Sequence, residues 1–227
     1  MLIHHDYDQG SPEWLQVRKG VITGSRFKDC RDFKALTAAQ KKEGRTRGDL
    51  SSKALGYAMD TARQRFGGEA PAKFQNAAMR MGSEQESFAR QAYESKTGNL
   101  VEEVGFFTTQ DGIFGLSPDG LIDDDGVLEI KTMVSSETLF TAVADGDISE
   151  YIDQCNGYLW LLGRQWVDLV LWAPDLKDQG LALTIRRITR DEQAIEALEA
   201  DLMEFSSLVK TYETKLIQAA QTNTKEI

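Results

Sequence analysis

The stretch GLSPDGLIDDDGVLEIKT, residues 115–132, restricts the fold of this chain more than any other part of it. Side chains alternate between the two faces of a strand. In VLEIK, Glu129 and Lys131 therefore share one face, while Leu128 and Ile130 point to the other. A Glu and a Lys inside so apolar a strand must be paired, metal-bound or near an edge, because burying an isolated charge is costly. Asp119 follows Pro118 at the end of a second strand-like run. The turn signal DDDG at 123–126 joins the short apolar run Gly120 to Ile122 to the strand Gly126 to Thr132.

These residue types suit a hard divalent cation. Mg²⁺ takes oxygen ligands, commonly one or two carboxylates with water and substrate phosphate. Asp119 and Glu129 could supply the carboxylates and the Ile130 carbonyl a further oxygen, while Lys131 could orient or help deprotonate an attacking water and offset charge on a phosphate. The pattern Glu-x-Lys also occurs at 94–96 and 213–215, but both lie on predicted helices, where residues two apart do not share a face. On pattern alone, a strand-edge salt bridge remains the alternative for Glu129 and Lys131.

Around this segment the chain alternates helix and strand. Residues 11–75 read as mostly helical, starting at Ser11-Pro12, with an apolar stripe from Leu50 to Phe66 that GGEAP at 67–71 interrupts. A helix is expected over 83–97, where Ser83 and Glu86 fit a capping box and Gly98 a stop. Strands are expected at Leu100 to Thr108, Ile113 to Leu116 and Gly126 to Thr132. A helix follows from Ser149 to Leu162, closed by Gly163, then strands at Trp166 to Trp172 and Leu181 to Ile188, and a long amphipathic helix from about Asp191 to about Gln218. This order predicts a mixed sheet flanked by helices, of α/β or α+β class. We expect one domain over 1–227, with a mainly helical part (1–80), a core (81–190) and a C-terminal helix (191–227).

Composition narrows the chemistry. Cys30 and Cys155 lack partners at metal-ligand spacing, and the only histidines, His4 and His5, sit at the extreme N-terminus. A zinc finger, a cysteine-held cluster and a histidine triad are disfavoured. No run approaches the roughly 20 apolar residues that cross a membrane, and MLIHHDYDQG lacks signal-peptide character, so a cytoplasmic location in the host cell is expected. The net charge of −10 sits awkwardly with nucleic-acid binding, although it does not exclude a local basic channel. One basic stretch exists, Arg26, Lys28, Arg31, Lys34, Lys41, Lys42, Arg45, Arg47 and Lys53, which reads either as such a channel or as a solvated surface.

The order helix, Pro-Asp, Glu-x-Lys, helix resembles the PD-(D/E)xK nuclease superfamily, and within it lambda exonuclease and the YqaJ-type phage recombination nucleases. WLQVRKGVITGS (14–25) is similar to the family's N-terminal motif, with Trp14, Arg18, Gly20, Thr23 and Ser25. MGSEQESFARQAYESKTG (81–98) is similar to its helical motif, with Gly82 and Glu86. LSPDG and LEIK carry the core, and YIDQCNGYLWL (151–161) resembles the helix that contributes a glutamine, here Gln154.

The resemblance implies a restriction-endonuclease-like core with helical additions at both ends. It also implies a magnesium-dependent 5′-to-3′ exonuclease on linear double-stranded DNA, which releases mononucleotides and leaves 3′ overhangs. By the same resemblance, Asp119 would bridge two Mg²⁺ ions, with Mn²⁺ an alternative metal. Glu129 and the Ile130 carbonyl would complete one shell, and Glu86 would face the second ion. Lys131 and Gln154 would position the water, and Arg18, Ser25 and Ser117 would hold the 5′-phosphate. Each outlying residue has a plainer alternative: Glu86 in the capping box, Arg18 as a surface charge, Ser25 as a helix cap, Gln154 paired with backbone. Tyr158, Trp160 and Trp166 read as core or subunit interface, Trp14 as core, and Met79 as core or as a wedge at the terminal base pair.

The family also implies a homotrimeric ring, a single-strand annealing protein as partner, and no membrane. One departure stands out. The family's best-known member has an arginine shortly after the Glu-x-Lys strand, where TMVSSETLF here has Glu137. Either another basic residue replaces it, with Ser135 and Ser136 able to supply neutral hydrogen bonds, or dependence on the 5′-phosphate is weaker. Another nuclease of the superfamily, or a catalytically silent DNA-binding subunit, is the alternative function.

Overall fold

The computed structural model describes residues 1–69 and 77–225. Strand β1 (Leu2–His5) leads into helix α1 (Pro12–Val17), whose N-cap Ser11 accepts the Trp14 N–H at 3.1 Å. Strand β2 (Ile22–Thr23) and helices α2 (Phe27–Cys30), α3 (Ala38–Lys42) and α4 (Ser52–Arg65) follow. Helix α5 (Ala77–Thr97) precedes the strands β3 (Phe106–Thr109), β4 (Phe114–Leu116), β5 (Gly120–Ile122) and β6 (Gly126–Thr132). A crossover of α6 (Ser136–Leu139), a π-helical turn and α7 (Ser149–Leu162) leads to β7 (Trp166–Trp172). Strand β8 (Leu183–Thr189) and α8 (Glu192–Lys225) complete the described chain.

The strands form two four-stranded sheets, ordered β1-β3-β4-β2 and β5-β6-β7-β8. In the second, β6 and β7 run parallel with Glu129 opposite Leu169, while β5 and β8 pair antiparallel at the edges. Both faces of β6 are covered. Leu128 and Ile130 pack with Ala89 and Tyr93 of α5, and Val127 packs with Cys155, Tyr158 and Leu159 of α7. A separate core joins α2, α4 and α8 to the first sheet through Phe27, Ala58, Phe114, Leu202 and Phe205.

Several expectations need correction. One mixed sheet was expected and two mixed sheets form. The chain passes from one to the other at Ser117–Asp119, where Pro118 has no N–H to continue a ladder. Helix α5 is described from Ala77, so position 83 lies in its interior and not at its start. Gly82 alone costs only about 1 kcal/mol against alanine, which packing of α5 on β6 outweighs. The strand expected from Leu100 starts at Phe106. Before it, only the bridge of Glu102 to Leu121 forms, and Gly105 lies so close to β1 that a Cβ there would sit 2.1 Å from the His5 carbonyl oxygen. Strands β1 and β2 had no local signal, being paired only through distant β3 and β4. The rest of the helical reading of 11–75 holds in α1 to α4, while residues 70–75 and the Met79 side chain lie outside what is described.

The basic stretch is spent internally. Arg26 and Lys53 pair with Asp29 at 2.7 Å each, Lys28 with Glu150, and Arg45 with Asp49 at 2.9 Å. Arg31 bridges Asp153 at 2.7 Å and Asp201 at 2.8 Å, and Arg47 pairs with Asp201 and Glu204. These charges tie α2 and the 43–49 loop to α7 and α8, leaving Lys34, Lys41 and Lys42 without an ion pair among the described residues. No described helix is long and apolar enough to cross a membrane.

Candidate active site

The sequence-predicted residues Arg18, Ser25, Glu86, Ser117, Asp119, Glu129, Ile130, Lys131 and Gln154 all line one cavity of about 390 Å³. They come from α1, the turn after β2, α5, the β4–β5 junction, β6 and α7, so the cavity exists only where both sheets and three helices meet.

Strand β6 supplies the centre. Glu129 is 3% exposed, and its two oxygens are approached by three donors. Lys131 Nζ lies 2.6 Å and Gln154 Nε2 2.8 Å from Oε1, and the Tyr158 hydroxyl donates to Oε2 at 2.5 Å. The Gln154 amide also accepts from Lys131 at 3.1 Å, closing a ring of polar contacts. Asp119 is fixed over the same strand: its N–H donates to the Leu128 carbonyl at 3.1 Å, and its Oδ2 accepts the Ile130 N–H at 2.6 Å. Hence the Pro-Asp and Glu-x-Lys segments are held together by backbone contacts, as well as by facing one space.

Electrostatics show an excess of negative charge. Burial raises the Asp119 carboxyl well above the ordinary carboxylate range. Glu129 and Glu86 push it further, against Lys131 and the Ile130 N–H. Glu86 is raised too, by burial opposed by Arg90 and reinforced by Glu129. Burial alone would lower Lys131, but Glu129 and Asp119 outweigh it and hold the ammonium above the usual lysine range. Arg18 is brought down to about 10 by burial and stays cationic at neutral pH. Its guanidinium lies 4.0 Å from the Trp14 ring centre and 4.9 Å from that of Phe106, and it makes no ion pair among the described residues. Arg18 and Lys131 are the only cations among the cavity's described lining residues.

Among the described residues, no three carboxylate, histidine or cysteine side chains enclose a metal site as they stand, because the Glu129 oxygens already face Lys131, Gln154 and Tyr158. The donor chemistry still fits a hard cation. The acidic groups are all oxygen donors, and two of them carry raised carboxyls that a cation would relieve.

Other sequence candidates are placed as follows. Ser25 is exposed in the turn Gly24–Arg26 and caps no described helix. Ser117 donates its hydroxyl to the Gly105 carbonyl at 3.3 Å. Glu137 is exposed on α6 away from the cavity lining, and Ser135 accepts the Thr138 N–H at 3.1 Å as the cap of α6. Tyr158 packs in the core, as the sequence reading expects, and its hydroxyl also reaches into the site. Its i,i+4 spacing from Gln154 on α7 was the signal that both share a face. Trp14 lines the cavity, half-buried, with its indole N–H unpartnered, and the buried Thr132 hydroxyl is also unpartnered. No local signal marks Thr132.

Two mixed sheets flanked by helices, with Pro118-Asp119 and Glu129-Ile130-Lys131 at their junction, define a protein of the PD-(D/E)xK nuclease fold. The chain belongs to the YqaJ-like viral recombinase domain family, whose model matches residues 13–165. It is similar to the alkaline exonuclease LHK-Exo of Laribacter hongkongensis, at 30% identity over 93% of this chain and 99% of that one, with a TM-score of 0.75. The structure of LHK-Exo in complex with dAMP matches with a TM-score of 0.77. A phage-related exonuclease of Haemophilus somnus 129PT shares the fold at 19% identity, with 88% of this chain and 96% of that one covered and a TM-score of 0.64. No curated protein sequence matches the chain.

Proposed function

We propose that this protein is a single-domain, magnesium-dependent 5′-to-3′ exonuclease that degrades linear double-stranded DNA to 5′-mononucleotides and leaves 3′ overhangs. The observation that carries this reading is the convergence of Asp119, Glu129, Lys131, Gln154 and Glu86 on one cavity, with the Arg18 guanidinium, which makes no ion pair among the described residues, on its wall. The likeness to LHK-Exo supports it, since dAMP, bound by that enzyme, is of the product class assigned here.

Asp119, Glu129, the Ile130 carbonyl and Glu86 would hold two Mg²⁺ ions. The metal, when bound, supplies an activated water and neutralises charge on the phosphate. Gln154, held between Lys131 and Glu129, orients the attacking water through its amide. Lys131, kept protonated by its carboxylate neighbours, offsets negative charge building on the scissile phosphate. Arg18, Ser25 and Ser117 bind the terminal 5′-phosphate. With glutamate at position 137, Arg18 is the guanidinium for that task, its planar fork suited to phosphate oxygens. A homotrimer around the duplex, and an annealing protein that takes up the 3′ strand, belong to the same proposal, which places the enzyme in the cytoplasm of the bacterial host.

The test is digestion of linear duplex labelled at either end, in Mg²⁺ and in EDTA, beside a covalently closed circle. Metal-dependent release of the 5′ label as mononucleotide, with the circle intact, is expected. A nicked circle would make the protein an endonuclease. No cleavage with any divalent metal would leave a DNA-binding subunit.

A further inference from the structure

We propose that Arg90 is a positioning residue that holds the Glu86 carboxylate toward the catalytic cavity. The inference rests on the metal-nuclease reading above. Arg90 is 8% exposed and lies one helical turn beyond Glu86 on α5, where residues four apart are neighbours. One guanidinium nitrogen lies 3.8 Å from Glu86 Oε1, and another pairs with Glu103 on the segment before β3. A cation buried beside Ala89 and Tyr93 is costly to keep unless its charge is required there.

Glu86 needs such a partner. Among the described residues no side chain other than Arg90 pairs with the carboxylate. Glu86 also stands between two spaces. It lines the catalytic cavity and a neighbouring one of about 160 Å³, walled by Asp6, Asp8, Glu103 and Asp119. A flexible carboxylate could turn into either. Arg90, tied also to Glu103, limits that choice and offsets the mutual repulsion of Glu86 with Asp119 and Glu129 that would drive Glu86 away from them.

The test is calorimetric titration of the metal-free full chain with Mn²⁺, for wild type, Arg90→Met, Arg90→Lys and Asp119→Asn, with thermal melting of each with and without the metal. Outer-sphere partners of metal ligands typically contribute 10–100-fold to affinity. We therefore expect Arg90→Met to weaken Mn²⁺ binding by roughly ten-fold or more and to shrink the metal-induced rise in Tm, with Arg90→Lys restoring most of both. Should Arg90→Met fail to fold, the neutral Arg90→Gln carries the same expectations. Wild-type Mn²⁺ affinity in the neutral variant, with only a lower Tm, would make Arg90 a structural tie and overturn the proposal. Mn²⁺ binding lost in Asp119→Asn but kept in the neutral Arg90 variant defeats the role of Arg90 alone. No Mn²⁺ binding by wild type, or equal binding by Asp119→Asn, defeats the metal reading and this inference with it.

Discussion

Glu129 is the residue around which the site closes, since a carboxylate so deeply buried needs every donor that reaches it. Lys131, Gln154 and Tyr158 meet that need, and each leaves a different deficit when removed. On the proposed reaction, Lys131→Ala abolishes cleavage while duplex binding, read by gel shift, persists. Undiminished cleavage would remove Lys131 from the mechanism. Tyr158→Phe takes one donor from a buried anion, so urea denaturation should show a loss of about 1–3 kcal/mol, accompanied by slower cleavage. If both stability and rate are unchanged, the short Tyr158–Glu129 contact contributes nothing.

At the scale of elements, the site depends on α5 and α7 gripping opposite faces of β6. Gly157 lets α7 approach α2 closely, since a Cβ there would lie 2.5 Å from the Phe27 ring. Gly157→Ala should cost about 1–3 kcal/mol by overpacking. It should also slow cleavage, because Gln154 sits one turn earlier on the same helix; a variant as stable and active as wild type would show that α7 can shift freely. On the other face, Tyr93 of α5 donates to Asp168 of β7 at 2.6 Å, and Arg187 of β8 binds the same carboxylate through two contacts of 2.8 Å. Burial, with the bond to Asp168, pushes the Tyr93 phenol up to about 12. The folded value is raised, so this contribution is complete below the unfolded value near 10 and is lost as pH climbs to about 12. Tyr57 behaves alike. Urea midpoints at about pH 9 and about pH 11 should therefore fall less in Tyr93→Phe than in wild type, and an equal fall would contradict the shift.

For the whole molecule, the question is how a chain of net charge −10 meets DNA. The basic N-terminal stretch does not answer it, because most of those side chains are neutralised by Asp29, Asp49, Glu150, Asp153, Asp201 and Glu204. Among the described residues that line the cavity, the cationic groups are Arg18 and Lys131. Arg47→Ala should cost no more than about 1 kcal/mol of stability and leave DNA affinity unchanged. Arg18→Ala should weaken affinity for 5′-phosphorylated ends without a comparable change in stability. Competition binding with phosphorylated and unphosphorylated duplexes separates the two variants. Equal losses would return the basic stretch to the DNA interface.

Much of this was legible locally. Alternation in VLEIK, the DDDG turn, the stop at Gly163, which adopts φ of 69°, and the Pro-Asp and Glu-x-Lys spacing are properties of a few neighbouring residues, so strands, helix ends and the central candidates could be read directly. The boundary of α5 could not. That helix packs on β6 through Ala89 and Tyr93, and it runs through the position where the letters fit a capping box. Strand β1 was likewise hidden, because its partners lie about a hundred residues away, and the Tyr158 bond to Glu129, about thirty residues earlier, was signalled only by its i,i+4 spacing from Gln154. The pairing of the basic stretch, and Arg90 behind Glu86, belong to the same class. Short-range pattern carries side-chain direction and chain reversal; which charges meet, and which remain free for a substrate, is decided only when distant elements close around a common space.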